Sequence, residues 1–267
     1  MMMKEREIKR AVREGYARIA KQATSLYGSS SFCGYTSEEL QEAPPESNLG
    51  LGCGNPVAMA SIKEGEVVLD LGSGAGFDCF LASTRVGPRG KVIGVDMTSE
   101  MVDKARANAR KGNYANIDFR QGDLENMPVA DNYVDVVISN CVINLVPNKW
   151  RVFKEAFRVL KPGGRLAISD IVLLRELPEF VKRSTRAYIG CLAGAVMRDS
   201  YLDIIKSVGF QDVEVVDESS FPVECLAGEA TGPAITEMPR LTAGQLKEIS
   251  DSVLSVKISA FRPSDEK

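Results

Sequence analysis

The segment Val67-Val68-Leu69-Asp70-Leu71-Gly72-Ser73-Gly74-Ala75-Gly76 constrains the fold more than any other stretch of this chain. Its apolar lead-in reads as a strand covered on both faces. Three glycines at alternate positions follow. Glycine accepts positive φ and lets a ligand approach the bare backbone. Phe77 to Thr84 continue as a helix, whose N-terminal amides face the same ligand. Gly-x-Gly-x-Gly is a looser spacing than the full dinucleotide fingerprint, so the following strands carry the argument further.

Lys91 to Asp96 forms a second strand ending in an acid, 26 positions after Asp70. A Rossmann-like fold places a ribose-binding carboxylate at about this point. Ile117 to Asp123 ends in another acid, and Val134 to Asn140 in an amide. Polar residues at the carboxyl ends of successive parallel strands line the crevice of such sheets. Val67 to Asp170 thereby resembles the class I S-adenosylmethionine-dependent methyltransferases. A NAD-type Rossmann domain is the alternative. The expected class is α/β: a mostly parallel seven-stranded sheet with helices on both faces and a smaller C-terminal unit.

The pattern divides the chain into an N-terminal helix and cysteine-bearing lid (1–56), a Rossmann-like domain (57–177) and a C-terminal region (178–267). Glu5 to Leu26 is amphipathic, with Ile8, Val12, Tyr16, Ile19 and Ala23 on one stripe. Gly28 to Asn55 is rich in Ser, Gly, Pro and Asn and reads as a long loop. Helices are expected over 98–112, 149–160, 178–192, 200–208 and 241–250, and strands over 165–170, 213–216 and 253–261. Lys161-Pro162-Gly163-Gly164 reads as a helix terminator.

A hydrophobic share of 44% fills an ordinary core, and a net charge of −3 offers no basic surface for nucleic acid. No apolar run approaches the roughly 20 residues of a membrane span. Met1 to Arg13 lacks the apolar core of a signal peptide, which points to a cytoplasmic location. There is no histidine, so the commonest general base and metal ligand are both missing.

Six cysteines remain: Cys33, Cys53, Cys79, Cys141, Cys191 and Cys225. Cys141 follows the fourth strand directly, at the crevice. Cys53 lies in a glycine-flanked loop, and Cys191 among the small residues Gly190, Ala193 and Gly194. Three thiols from three elements converging there would suit a soft trivalent metalloid, which keeps a nucleophilic lone pair. Structural zinc competes, but it favours four ligands in short pairs, and the chain has no Cys-x-x-Cys. Cys79 reads as packing.

Asn48-Leu49-Gly50-Leu51-Gly52-Cys53-Gly54-Asn55-Pro56, Ser139 to Leu145 and Gly190-Cys191-Leu192-Ala193-Gly194-Ala195 together resemble the arsenite S-adenosylmethionine methyltransferases. The resemblance implies that Cys53, Cys141 and Cys191 bind As(III). It implies that Cys33 pairs with Cys53 during turnover, with thioredoxin or glutathione restoring the thiols. It also implies S-adenosylmethionine bordered by Gly72, Gly74 and Gly76, with Asp96 on the ribose and Met97 against adenine. Leu124 and Glu125 are then expected at the adenine edge, Asn140 near the methionine end, and Asp70 orienting the glycine loop. Asp123 is either a turn cap or an adenine contact. Two alternatives stand beside this reading: a quinone-biosynthesis C-methyltransferase, and a thiol-based metalloid-sequestering protein.

Overall fold

The computed structural model describes residues 5–22, 34–220 and 242–264. Its spine is a seven-stranded sheet in the order β3-β2-β1-β4-β5-β7-β6. The strands are β1 (Val67–Leu71), β2 (Lys91–Asp96), β3 (Ile117–Gln121), β4 (Val134–Asn140), β5 (Leu160–Leu173), β6 (Gln211–Ser220) and β7 (Val253–Phe261). Strands β1 to β5 pair in parallel, and β7 runs antiparallel between β5 and β6. The order reverses between β1 and β4, so a crevice opens at the carboxyl ends of those two strands.

Ten helices lie among the described residues: α1 (Glu5–Gln22), α2 (Ser37–Glu42), α3 (Pro56–Met59), α4 (Phe77–Val86), α5 (Ser99–Lys111), α6 (Lys149–Val159), α7 (Glu179–Lys182), α8 (Thr185–Ile189), α9 (Arg198–Val208) and α10 (Ala243–Ser250). One buried cluster joins the sheet to α6 and α9 through Val152, Phe153, Tyr201 and Ile205. Another joins the opposite face to α4 and α5 through Phe80, Leu81, Val102 and Ala105. Both faces are therefore covered, which explains the uninterrupted apolar runs of β1 and β4.

Four expectations need correction. The Gly28–Asn55 loop contains α2, because Thr36 and Glu39 form a reciprocal capping box. The single helix over 178–192 is two short helices: the Ser184 hydroxyl accepts from the Ala187 amide and starts α8 afresh. Lys161 to Gly164 stands inside β5, in a register shift against β4, after α6 has ended at Val159. Strand β6 also exceeds its expected range, since β7 pairs with a polar tail that has no apolar alternation.

Candidate functional site

The crevice is a cavity roofed by one face of α1, with Lys9, Val12, Tyr16 and Ile19 in its wall. At one end lies the glycine turn. Gly72, Gly74 and Gly76 all have positive φ, and the Gly72 and Ser73 amides donate to Val95 O at 2.8 and 3.1 Å. A Cβ on Gly72 would collide with Val142, next to Cys141. A Cβ on Gly74 would meet nothing within 4 Å, so this glycine presents open backbone to the cavity. Gly76, expected at the ligand, is not in the wall. It caps α4 at φ 97°, and a Cβ there would press on Phe119 and Phe80.

Asp96 ends β2 and accepts from the Gly74 amide at 3.0 Å and the Thr98 amide at 2.8 Å. Burial pushes its pKa up against those two hydrogen bonds. Asp70 is raised well above the usual range by burial and then by Asp78, and it accepts from the Cys79 thiol at 3.2 Å. Asp78 is pushed up to about 6, chiefly by burial, although Tyr35 donates to it at 2.6 Å. Ser73 Oγ is buried and lacks a partner among the described residues. An anionic pocket with an unsatisfied hydroxyl and a bare glycine fits a ligand that brings an ammonium, a sulfonium and hydroxyls.

Met97 and Leu124 line the cavity. Glu125 does not: its carboxylate takes Lys9 at 2.6 Å and the Asn148 amide at 3.0 Å. The Lys9 cation on α1 draws that side chain away from the expected adenine edge, and Asp123 shares the same lysine at 2.6 Å.

At the other end the thiols meet. Asn140 closes β4, accepts from the Cys53 amide at 3.0 Å, and sets its amide nitrogen 2.8 Å from Gly54 O. The glycines around Cys53 are required, since a Cβ on Gly52 would strike Asn140 and one on Gly54 would strike Ser169. Ser255 of β7 donates to Cys53 O at 2.6 Å. Cys141 and Cys191 both hold left-handed backbone, φ 56° and 65°. Such conformations cost about 1–3 kcal/mol each in a non-glycine residue and cluster at functional sites.

The Cys191 thiol donates to Cys141 O at 2.7 Å. The neighbouring Cys191 and Cys53 thiols, with burial, hold the pKa of Cys141 well above the usual thiol range. Burial raises Cys53 as well. The three predicted cysteines share one buried cluster; the sulfurs of Cys53 and Cys141 lie within 4.8 Å of each other, without Cys191 in that group, and Cys141 and Cys191 lie in the cavity wall. Cys79 is apart, on α4, fully buried. Cys33 and Cys225 lie outside the described residues.

Sequence reasoning missed several neighbours. Asp170, near the end of β5, has a carboxylate oxygen within 4.8 Å of the Cys53 and Cys141 sulfurs. Burial lifts its pKa to about 6, and burial lowers nearby Lys149 to about 8. The strand-end logic applied to Asp96 would have found Asp170. Tyr16 donates to Ile189 O at 3.3 Å, two residues before Cys191. A tyrosine on a helical stripe carries no sequence signal for that contact.

A family described as "Methyltransferase domain" matches residues 62–209. An arsenite methyltransferase of Halobacterium salinarum is 51% identical over 189 residues, covering 70% of this chain and 48% of that protein. The human arsenite methyltransferase is 34% identical, covering 78% and 59%. The chain therefore spans about half the length of these curated relatives. The crystal structure of an arsenic(III) S-adenosylmethionine methyltransferase from Chlamydomonas reinhardtii superposes with a TM-score of 0.67 at 30% identity, covering 92% of this chain and 76% of that one.

Proposed function

The chain belongs to the methyltransferase-domain family, among the arsenite S-adenosylmethionine methyltransferases, and on that premise we propose that it methylates trivalent arsenic held by Cys53, Cys141 and Cys191. The clustering of these three cysteines beside the glycine-turn cavity, with Cys53 and Cys141 sulfurs within 4.8 Å and the Cys191 thiol on Cys141 O, supports the reading. When bound, S-adenosylmethionine supplies a sulfonium-activated methyl group for the lone pair of the arsenic. Everything else is done by the chain's own residues.

The raised thiols stay protonated near neutrality. Each can displace a hydroxide from arsenous acid, forming one S–As bond as its proton leaves with that hydroxide as water. Three thiolates neutralise the trivalent charge and leave the lone pair unshared. Asp96, Met97, Leu124, Gly72 and Gly74 would hold the nucleoside and methionine portions, while Asp70 and Asp78 offset positive charge. Holding both partners in one cavity supplies most of the rate advantage, and no base is needed at the attacking atom. Asn140 positions Cys53 through its backbone amide.

Methyl transfer takes arsenic formally from III to V. Oxidation of Cys33 and Cys53 to a disulfide would return two electrons, and thioredoxin or glutathione would restore the thiols. Reliance on free thiols suits a reducing cytoplasm. No helix among the described residues is long and apolar enough to cross a membrane.

Incubation with arsenite, S-adenosylmethionine and a thiol reductant tests the reading. Methylated arsenic should appear, persist in Cys79→Ser, and vanish in Cys141→Ser and Cys191→Ser. Arsenite binding without product would replace this reading with sequestration. Free-thiol counting after a single turnover without reductant should show a loss of two thiols, and an unchanged count would remove the disulfide step.

A further inference from the structure

The carboxylate of Asp170 has no part in capturing a three-sulfur metalloid, yet it stands among the thiols. One of its oxygens and the sulfurs of Cys53 and Cys141 all lie within 4.8 Å of one another. We propose that Cys53, Cys141 and Asp170 form a second, alternative site for a thiophilic divalent cation of the zinc or cadmium type, whose occupancy excludes the metalloid.

The donor set distinguishes the two guests. Trivalent arsenic takes soft sulfur in a three-sided pyramid and keeps its lone pair. Zinc is borderline-soft, accepts sulfur and carboxylate oxygen together, and prefers four tetrahedral ligands at about 2.0–2.3 Å. Tetrahedral ligands at those lengths stand about 3.5–3.8 Å apart, so the present spread closes by about 1 Å. With the Cys53 backbone held by Asn140 and Ser255, that movement falls to rotation of the cysteine side chains. A water completes the fourth position.

Asp170 is already oriented for the role. Its Oδ1 accepts from Asn144 at 2.8 Å and from the Ile171 amide at 2.8 Å, and its Oδ2 accepts from Tyr201 at 2.9 Å. Hydrogen-bonded carboxylates of this kind are typical of metal ligands, whose outer partners fix their direction. Charge also closes locally. Two thiolates and one carboxylate carry three negative charges against the two positive charges of the cation, and the buried Lys149 beside Asp170 adds one more positive charge. No structural-zinc spacing is required, because the three ligands come from the loop before α3, the end of β4 and the end of β5. A cation seated there takes two of the three sulfurs from arsenic, so the two guests compete. This site rests on the side-chain cluster and not on the methylation reading.

The test uses the full reduced, metal-free chain with zinc chloride, a chromophoric chelator as competitor, and zinc-edge X-ray absorption. One zinc per chain is expected, with two sulfurs and at least one oxygen in its shell, and arsenite should displace it. Asp170→Asn should weaken zinc about tenfold or more while moving arsenite affinity by less than about twofold. Cys191→Ser should do the reverse, abolishing tight arsenite capture and holding zinc affinity within about threefold. A shell of three or four sulfurs, absence of zinc binding, or equal loss of both guests in Asp170→Asn would overturn the proposal. If Asp170→Asn does not fold, the ligand shell of the unaltered protein decides the matter alone. A chain that binds zinc as described but never methylates arsenic would sink the methylation reading and leave this site standing.

Discussion

The two ends of the cavity are built on opposite plans. The glycine-turn end is assembled from residues close in sequence: Asp70 to Gly76 make the turn, and Asp96 reaches back to the Gly74 amide at 3.0 Å. Backbone groups do most of the shaping. The thiol end gathers Cys53, Cys141 and Cys191 from three distant segments and relies on side chains. It also holds two non-glycine residues in left-handed backbone, whereas the positive φ values of the turn fall on glycines. The first end is a consequence of topology, since any sheet with this strand order opens a crevice there. The second is specific to this chain, and strain is tolerated where the surrounding packing enforces it.

Substitutions can break this contrast. Cys141→Ser or Cys191→Ser should lower kcat/KM for arsenite by roughly a thousandfold or more, because presentation of the substrate is lost rather than trimmed. Binding of S-adenosylhomocysteine, measured by calorimetry, should stay near that of the parent. Equal loss of both ligands would merge the two ends into one unit.

The acidic end has a pH signature. Asp78 has a folded pKa of about 6 against an ordinary value of 3.8, so the folded state binds the extra proton. Stability attached to this group is full below the ordinary value and is lost as pH rises toward 6. Asp78→Asn lacks that loss. Denaturant unfolding from about pH 4 to 6 should therefore shift in favour of Asp78→Asn by up to about 3 kcal/mol. A constant gap would show that the buried carboxylate is not strained by burial.

Asp96→Asn should weaken S-adenosylhomocysteine about tenfold, the scale of one charge-assisted hydrogen bond, and leave arsenite binding untouched. Smallest of all, Tyr16→Phe should raise KM for arsenite about threefold with kcat nearly unchanged, since one neutral hydroxyl contact is removed. A large fall in kcat would instead place that hydroxyl at the reacting atoms.

The turn end was legible in the sequence because its information is local. The bounds of β1 and β2 follow from apolar runs ended by Gly or Asp, in strands with buried interiors. Two local details still escaped. Glu125 turned to Lys9, a partner 116 positions away, and Gly76 served packing against Phe119. The thiol trio was legible only through the small residues around each cysteine. Of its neighbours, Asp170 was within reach of the strand-end logic, whereas Lys149, the first residue of α6, carries no local signal of its nearness to Asp170. Helix α2 was hidden in a stretch whose composition suggests a loop, although the Thr36-x-x-Glu39 box was present to be read.

Lys9 and Tyr16 stand seven residues apart on α1, two turns along the same face. One grips Asp123 and Glu125, and the other donates to Ile189 O beside Cys191. A rod of 18 residues cannot lift from one of these anchors without pulling on the other. Under the proposed function, arrival of the metalloid and departure of the spent nucleoside would pull on one lever.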